Sequence, residues 1–348
     1  MKYCCINCFN DRIIQNKIRF YCERGNCDFC GSTDVFIYPL NDPVGSQELE
    51  VQLAELINLY KPAVPEGSGR SLSQALLQDW DIFHYSTPEQ LDRFLYAAFP
   101  SNSDPANSLI SKCVNLNISN SISILKDHSW NDFSTYLKQK NRFFVPYLNV
   151  DIFKDYLSVA SVQYSHSDKF YRARISKDAE GFDKDNMGAP PPYLSLPGRI
   201  NPRGISELYL AKDEDTALHE VRANLYDYVS FGEFHPNTNI RVVNLSTFAT
   251  LSPFELEIDF SNFAANRDFI QGLSKEVAHI MRRSDDTIEY LPTQFIAEFI
   301  KNCGFNGVEY ESTLVNGGIN VCIFQPDLFS CVDVTTETIK AINYEYYR

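Results

Sequence analysis

The chain has 348 residues, 14% of them aromatic and 22% charged, with a formal net charge of −14 at pH 7. Its length exceeds that of a usual single domain, and its apolar content is ample for packed cores. No apolar run approaches the ~20 residues of a membrane-crossing helix, the first ten residues lack a signal-peptide core, and the acidic balance opposes phosphate backbones and anionic membranes. The expectation is a cytoplasmic protein with no membrane partner, and nucleic acid is disfavoured.

Six of the ten cysteines lie in the first thirty residues: Cys4, Cys5, Cys8, Cys22, Cys27 and Cys30. Cys5-x-x-Cys8 followed by Cys27-x-x-Cys30 has the spacing of a four-cysteine zinc ribbon, in which two tight knuckles present thiolates as a tetrahedron. Disulfides are the competing reading, and the expected reducing compartment favours metal. Cys4 and Cys22 are left over. A closed four-thiolate site keeps no open position, so the zinc is expected to be structural, folding a segment too small to fold alone. Charges in this segment nearly balance, which argues against a grip on DNA.

From Ser46 to about Tyr164 the pattern is helical. Leu49, Leu53, Leu56 and Tyr60 form one stripe, ended by Pro62 and Pro65; Leu72, Leu76 and Trp80 form a second. Thr87-Pro88-Glu89-Gln90 is a capping box that opens a helix burying Leu91, Phe94, Leu95 and Ala98. A Ser/Asn-rich stretch, 101–123, is expected to be loose or extended. Ser129 then caps a helix with Phe133, Tyr136 and Leu137, and another runs from about Val150 to Val162. Helical aromatics such as Trp80 read as core rather than as a base-stacking platform.

From Lys169 strands and helices mix. Lys169 to Ile175 alternates, sending Arg172 and Arg174 to one face, where burial is costly unless an anion meets them. A turn-rich run with Pro197, Gly198, Pro202 and Gly204 sets Arg199 and Asn201 on an irregular loop. A strand from Glu207 to Ala211 follows, then a helix capped by Asp213 or Asp215 with Ala217, Leu218, Val221 and Leu225 as its apolar stripe. Glu220 lies beside that stripe. Asn239 to Leu245, Gly307 to Glu311 and Gly318 to Phe324 read as strands, and Gln294 to Lys301 as a helix stopped near Gly304. A largely antiparallel arrangement around a cleft is expected; no Gly-x-Gly-x-x-Gly follows a strand, so a dinucleotide fold of the doubly wound type is not.

The order Gly198-Arg199-x-Asn201-x-x-Gly204, Leu208-Tyr209-x-Ala211, Ala217-x-x-Glu220 resembles the RES domain family, named for an Arg, a Glu and a Ser. Phe170-Tyr171-Arg172-Ala173-Arg174 looks like its opening strand. Tyr290 to Gln294, Cys303 to Ser312 and Gly318 to Phe324 look like its closing half. The resemblance spans roughly Val162 to Phe329. It implies an α/β (α+β) fold related to ADP-ribosyltransferase toxins, acting on NAD at the nicotinamide-ribose bond. The opening Cys5-x-x-Cys8-Phe9-x-Asp11 also looks like an N-terminal extension of some RES proteins classed as HEPN-like. No Arg here precedes a His by four to six residues, so the ribonuclease activity of HEPN proteins is not expected. The organisation that follows is multidomain: a zinc ribbon at 1–40, a helical HEPN-like domain at 41–164 and a RES catalytic domain at 165–348.

The chemistry that the resemblance implies can be asked of the residues. Nicotinamide leaves as a neutral ring and needs no general acid, so one carboxylate suffices where an ordinary glycosidase needs two. Glu220 is the candidate, stabilising the oxocarbenium-like ribose. By itself on an amphipathic helix it would read as a solvated charge; the surrounding motif reverses that. The pyrophosphate calls for guanidinium, with Arg199 first, Arg172 second and Arg174 third. Tyr209 is placed to stack on nicotinamide or touch the ribose. Ser312 matches the family serine, and Asn201, Gln294 and Asn320 are candidate ribose or amide contacts. The readings held open are transfer of ADP-ribose to water or phosphate, transfer to a protein or nucleic acid, and an inactive binding module. The partners implied are an antitoxin, a regulator or trigger protein, and a second copy of the chain.

Overall fold

A computed structural model describes residues 1–43, 47–65, 68–101, 105–255, 259–279 and 287–342. Ser46, residues 102–104 of the Ser/Asn-rich stretch and the last six positions of the chain lie outside the described residues. The chain divides into two compact units, one of residues 1–122 with 251–266, the other of residues 123–250 with 267–348.

In the first unit, strands Lys2–Cys5, Val35–Leu40 and Glu23–Gly25 form a small antiparallel sheet with Val35–Leu40 in the middle. Helix Arg12–Phe20 starts where the Asp11 carboxylate accepts from the amides of Ile13 and Ile14, two donors that the helix itself leaves unpaired. Helix Glu48–Ile57 buries Leu49, Leu53 and Leu56 but ends before Tyr60, which instead opens strand Tyr60–Pro62. Leu72–Asp79 begins with a capping box of Ser71 and Gln74, and Pro88–Ala98 is capped by Thr87 with proline in its first turn. The 101–123 stretch carries helix Pro105–Ile110 and strand Cys113–Leu116, which pairs with both Tyr60–Pro62 and Arg70–Ser71. This region is therefore not purely helical. Trp80 is buried, stacked on Phe263 and donating to the Tyr60 hydroxyl at 2.9 Å.

The second unit is built on a sheet that has eight strands among the described residues: β1 Ser161–Tyr164, β2 Phe170–Ser176, β3 Leu208–Ala211, β4 Tyr228–Pro236, β5 Ile240–Asn244, β6 Gly307–Glu311, β7 Ile319–Ile323 and β8 Phe329–Thr338. Their order is β8-β4-β2-β3-β7-β6-β5-β1, antiparallel throughout except for β5 and β6. Its longer helices are α1 Trp130–Gln139, α2 Val150–Val159, α3 Glu214–Val221, α4 Phe260–Val277, of which the part from Arg267 belongs here, and α5 Leu291–Asn302. The expected helix from Val150 to Val162 stops at Val159, and its tail becomes β1.

Two features of this sheet place the site. First, β2 and β3 share a single residue pair, Tyr171 with Ala211, so the ladder opens there. Second, register carries one row across four strands: Tyr310 opposite Asn320, Asn320 opposite Ala211, and Ala211 opposite Tyr171. Helix α3 packs on this face through Ala217, against Ala173, Ala211 and Val229. The opposite face buries Phe170, Leu208, Leu210, Val321 and Ile323. The alternation of apolar residues along β3 and β7 is what sends each set to its own side.

Candidate active site

Helix α3 delivers Glu220. Its N-terminus is fixed by Asp213, whose carboxylate accepts from the Thr216 amide at 2.7 Å and the Thr216 hydroxyl at 2.8 Å. It ends at Arg222, which takes a left-handed conformation at φ 50°. Leu225 is consequently off the helix and exposed, not part of the expected stripe. The close approach of α3 to the turn before β7 depends on Gly318: a Cβ there would lie 2.5 Å from the Thr216 hydroxyl.

The Glu220 carboxylate is held by neutral donors. Its Oε1 accepts from the Ser312 hydroxyl at 2.8 Å and from the Asn320 side-chain amide at 2.7 Å. Ser312 follows β6 directly, and its oxygen accepts from the amides of Leu314 at 3.1 Å and Val315 at 3.3 Å. Those two amides occupy the acceptor side of the hydroxyl and leave its proton for Glu220. Among the described residues Glu220 Oε2 makes no hydrogen bond or ion pair.

Around Glu220 lie two adjoining cavities. One, of 240 Å³, opens beside the β2–β3 pair and is lined by Arg172, Tyr171, Tyr209, Glu220, Tyr310 and Asn320, with Ala173, Ala211 and Ala217 supplying small side chains that leave the volume open. The other, of 280 Å³, is lined by Arg199, Asn201, Arg222, Tyr290 and Thr313, and shares Tyr209, Glu220, Tyr310 and Asn320 with the first. Glu220 thus stands at the wall common to both.

The three candidate arginines differ in what they hold. Arg172 Nη1 is buried without a hydrogen-bond partner among the described residues, and burial, together with the charge of Arg174, pulls the group down to about 10. Arg174 donates to the Asn186 carbonyl and lies 4.1 Å from the centre of the Phe182 ring, and it does not line either cavity. Arg199 lines the second cavity, but its guanidinium donates to the carbonyls of Glu276, Val277 and His279, at the C-terminal end of α4. A cation bound to the last carbonyls of a helix is favourably placed against its dipole.

Asn201 and Gln294 are occupied by the loop itself. Asn201 is buried, and its amide nitrogen shares its two hydrogens among the carbonyls of Leu196, Pro202 and Ile205 and the Ser195 hydroxyl, all within 3.2 Å, while its Oδ1 accepts from Tyr209 at 2.6 Å. Gln294 donates to the carbonyls of Gly198 at 2.7 Å and Asn201 at 3.0 Å, and Thr293 to that of Arg199 at 2.7 Å. The buried Tyr209 hydroxyl is pushed well above the usual phenol range by desolvation and stays a donor. Two further tyrosines, Tyr171 and Tyr310, and Arg222 line the cavities, and residue type alone does not mark them; Tyr310 lies two residues before Ser312 and opposite Asn320.

A second cluster lies in the first unit. The sulfurs of Cys5, Cys8, Cys27 and Cys30 all lie within 4.8 Å of one another, with Sγ separations of 3.9 Å (Cys5 to Cys8) and 3.4 Å (Cys5 to Cys30 and Cys8 to Cys27). Four thiolates bound at about 2.3 Å in a tetrahedron would stand about 3.8 Å apart, so the cluster suits zinc. The amides of Phe29 and Cys30 point at Cys27 Sγ, at 3.4 and 3.5 Å. The neighbouring Cys5 and Cys8 thiols pull Cys27 towards thiolate. Cys4 is buried against the Tyr38 carbonyl and Cys22 is exposed, both outside the cluster.

Comparison with known proteins gives the family. The sequence model of the RES domain matches residues 169–343, half of the chain, and the chain belongs to the RES domain family. No curated protein matches it. Among solved structures, the MbcT–MbcA toxin–antitoxin complex of M. tuberculosis is similar at 16% identity and a TM-score of 0.32, over 53% of this chain and 91% of that one. A likeness of that size carries no argument about the site.

Proposed function

We propose that the protein degrades NAD, breaking the nicotinamide-ribose bond and passing ADP-ribose to water or inorganic phosphate. The observation that carries this is the pairing of one carboxylate, Glu220, held by Ser312 and Asn320, with the Arg172 guanidinium, whose buried Nη1 has no hydrogen-bond partner among the described residues. A buried cation without a counter-charge is costly, and a bound pyrophosphate would relieve that cost through charge-assisted hydrogen bonds. In the reaction the glycosidic electron pair leaves with the nicotinamide ring. Glu220 stabilises the positive charge that develops on the ribose, and Ser312 and Asn320 keep its carboxylate aimed. The rows of Tyr171, Tyr209 and Tyr310 supply flat surfaces for nicotinamide. In this reading Arg172 takes the place first expected of Arg199, and Arg199, Asn201 and Gln294 hold the loop that walls the site.

The Cys5, Cys8, Cys27 and Cys30 cluster holds a structural zinc. The biological role that fits such an activity is that of a cytoplasmic toxin or anti-phage effector, restrained by an antitoxin or by the N-terminal half, or triggered through it. Nicotinamide release by the wild type and its loss in Glu220→Gln test the reaction.

The exposure of Glu220 and Arg222 at the cavity rim favours a second reading, transfer of ADP-ribose to a protein or nucleic acid. Label from NAD would then appear in a macromolecule. A melting temperature unmoved by millimolar NAD would instead fit an inactive binding module, since a ligand of the native state raises stability.

A further inference from the structure

Helix α3 stops at Val221, one residue after Glu220, because Arg222 turns left-handed, at φ 50° and ψ 48°. Helices commonly end this way, but with glycine, because a Cβ in that conformation crowds the backbone. A non-glycine residue in this conformation is uncommon, and Arg222 adopts it beside the candidate active site. What the conformation achieves is position: Arg222 lines the 280 Å³ cavity together with Glu220. Arg199, the other guanidinium of that cavity, is committed to three backbone carbonyls. Its amide donates to the His219 carbonyl at 3.1 Å, and its guanidinium makes no hydrogen bond or ion pair among the described residues.

The electrostatics of this cavity are otherwise unfavourable to an anion, since the Glu220 carboxylate shares its wall. A guanidinium two residues further along offsets that repulsion, and its planar fork matches phosphate oxygens. We propose that Arg222 binds a phosphate group in the cavity on the Arg199 side of Glu220. The assignment rests on the NAD-degrading reading for its biological meaning. The phosphate belongs either to the pyrophosphate of the dinucleotide or to inorganic phosphate acting as acceptor. In the latter case the ribose–nitrogen bond breaks with its electron pair leaving on nicotinamide, and an oxygen lone pair of hydrogen phosphate forms the new bond to the same carbon. The proton stays on the phosphate, and nothing is oxidised or reduced.

The test compares the full-length wild type with Arg222→Gln, Arg222→Lys and Arg222→Gly. Two readouts are taken: steady-state turnover across NAD and inorganic phosphate concentrations, and the melting-temperature shift given by inorganic pyrophosphate as a probe that needs no turnover. Arg222→Gln is expected to raise the KM for NAD about 10- to 100-fold if the ligand is the dinucleotide pyrophosphate, the loss expected of a charged hydrogen-bonding partner. If the ligand is the acceptor, it raises the inorganic phosphate needed for phosphorylated product by the same factor. In either case the pyrophosphate shift falls, Arg222→Lys recovers it in part, and Arg222→Gly loses it while melting higher than the wild type, because glycine relieves the left-handed strain. That opposite movement separates lost binding from misfolding. Unchanged kinetics together with an unchanged pyrophosphate shift in Arg222→Gln would overturn the proposal. A wild type that releases no nicotinamide, either as the full chain or without residues 1–160, but whose pyrophosphate shift depends on Arg222, would end the NAD reading and leave the phosphate site standing.

Discussion

Ser312 and Glu220, 92 residues apart, meet in a 2.8 Å hydrogen bond in which the serine hydroxyl donates to the carboxylate. The bond joins the end of β6 to the last turn of α3, and Asn320 on β7 donates to the same oxygen at 2.7 Å. A carboxylate fixed by two neutral donors keeps its charge while losing its rotational freedom, as a group that must act on a positive transition state requires.

Removing one donor should therefore lower catalysis more than binding. Ser312→Ala and Asn320→Ala are each expected to reduce kcat about 10- to 100-fold, the loss expected of a hydrogen bond to a charged group. The KM for NAD should change far less. Steady-state kinetics of the two variants check this, and a change confined to KM would move both residues from aiming Glu220 to binding substrate.

Arg172 should show stability and function moving in opposite directions. Replacing a cation whose buried Nη1 has no partner among the described residues by Met removes a desolvation cost while keeping much of the volume. Arg172→Met is expected to melt higher than the wild type without ligand, and to lose the additional rise that NAD gives the wild type. Thermal melts with and without NAD read both effects, and a variant less stable than wild type would mean that Arg172 has a protein partner.

The loop carrying Arg199 should be intolerant at Gly198. A Cβ at that position would lie 2.8 Å from both Asn201 Oδ1 and the Tyr209 hydroxyl. Gly198→Ala is expected to break their hydrogen bond and to cost about 1–3 kcal/mol, the penalty for leaving buried polar groups unpaired. Chemical denaturation measures the loss, and turnover should fall with it because Tyr209 lines both cavities.

The cysteine cluster should bind one metal per chain. Cys27→Ser is expected to lose zinc, by elemental analysis, and to lower the stability of the first unit, where Cys8 and its neighbours are tied to residues 82–84 by the bonds Asn10 N to Ile82 O and His84 N to Cys8 O. Wild-type protein purified without zinc and with free thiols that do not bind it would contradict the assignment.

Much of the second unit is legible in the sequence because its signals are local. The alternation of Lys169 to Ile175, the cap at Asp213 or Asp215 and the run from Glu207 to Ala211 depend on neighbours in the chain, and the structure places β2, α3 and β3 there, with Asp213 as the cap. What the sequence leaves hidden depends on partners far away. Arg199 reads as an anion ligand by residue type, yet its partners are carbonyls 77 to 80 positions on, which no spacing announces. The apolar tail of α2 continues smoothly in type into β1, so only pairing with β5 ends the helix at Val159. Leu225 fits a helical stripe by spacing, and the left-handed turn at Arg222 removes it.

The central claim concerns the bond that Glu220 helps to break, and product analysis tests it most directly. Purified wild type and Glu220→Gln would be incubated with NAD, with and without inorganic phosphate, and the products identified by mass spectrometry. The account predicts free nicotinamide from the wild type, with ADP-ribose or its phosphorylated form, and a loss of at least about 100-fold in the variant. Intact NAD with the wild type, in the full chain and in a chain lacking residues 1–160, or equal nicotinamide release by Glu220→Gln, would contradict it.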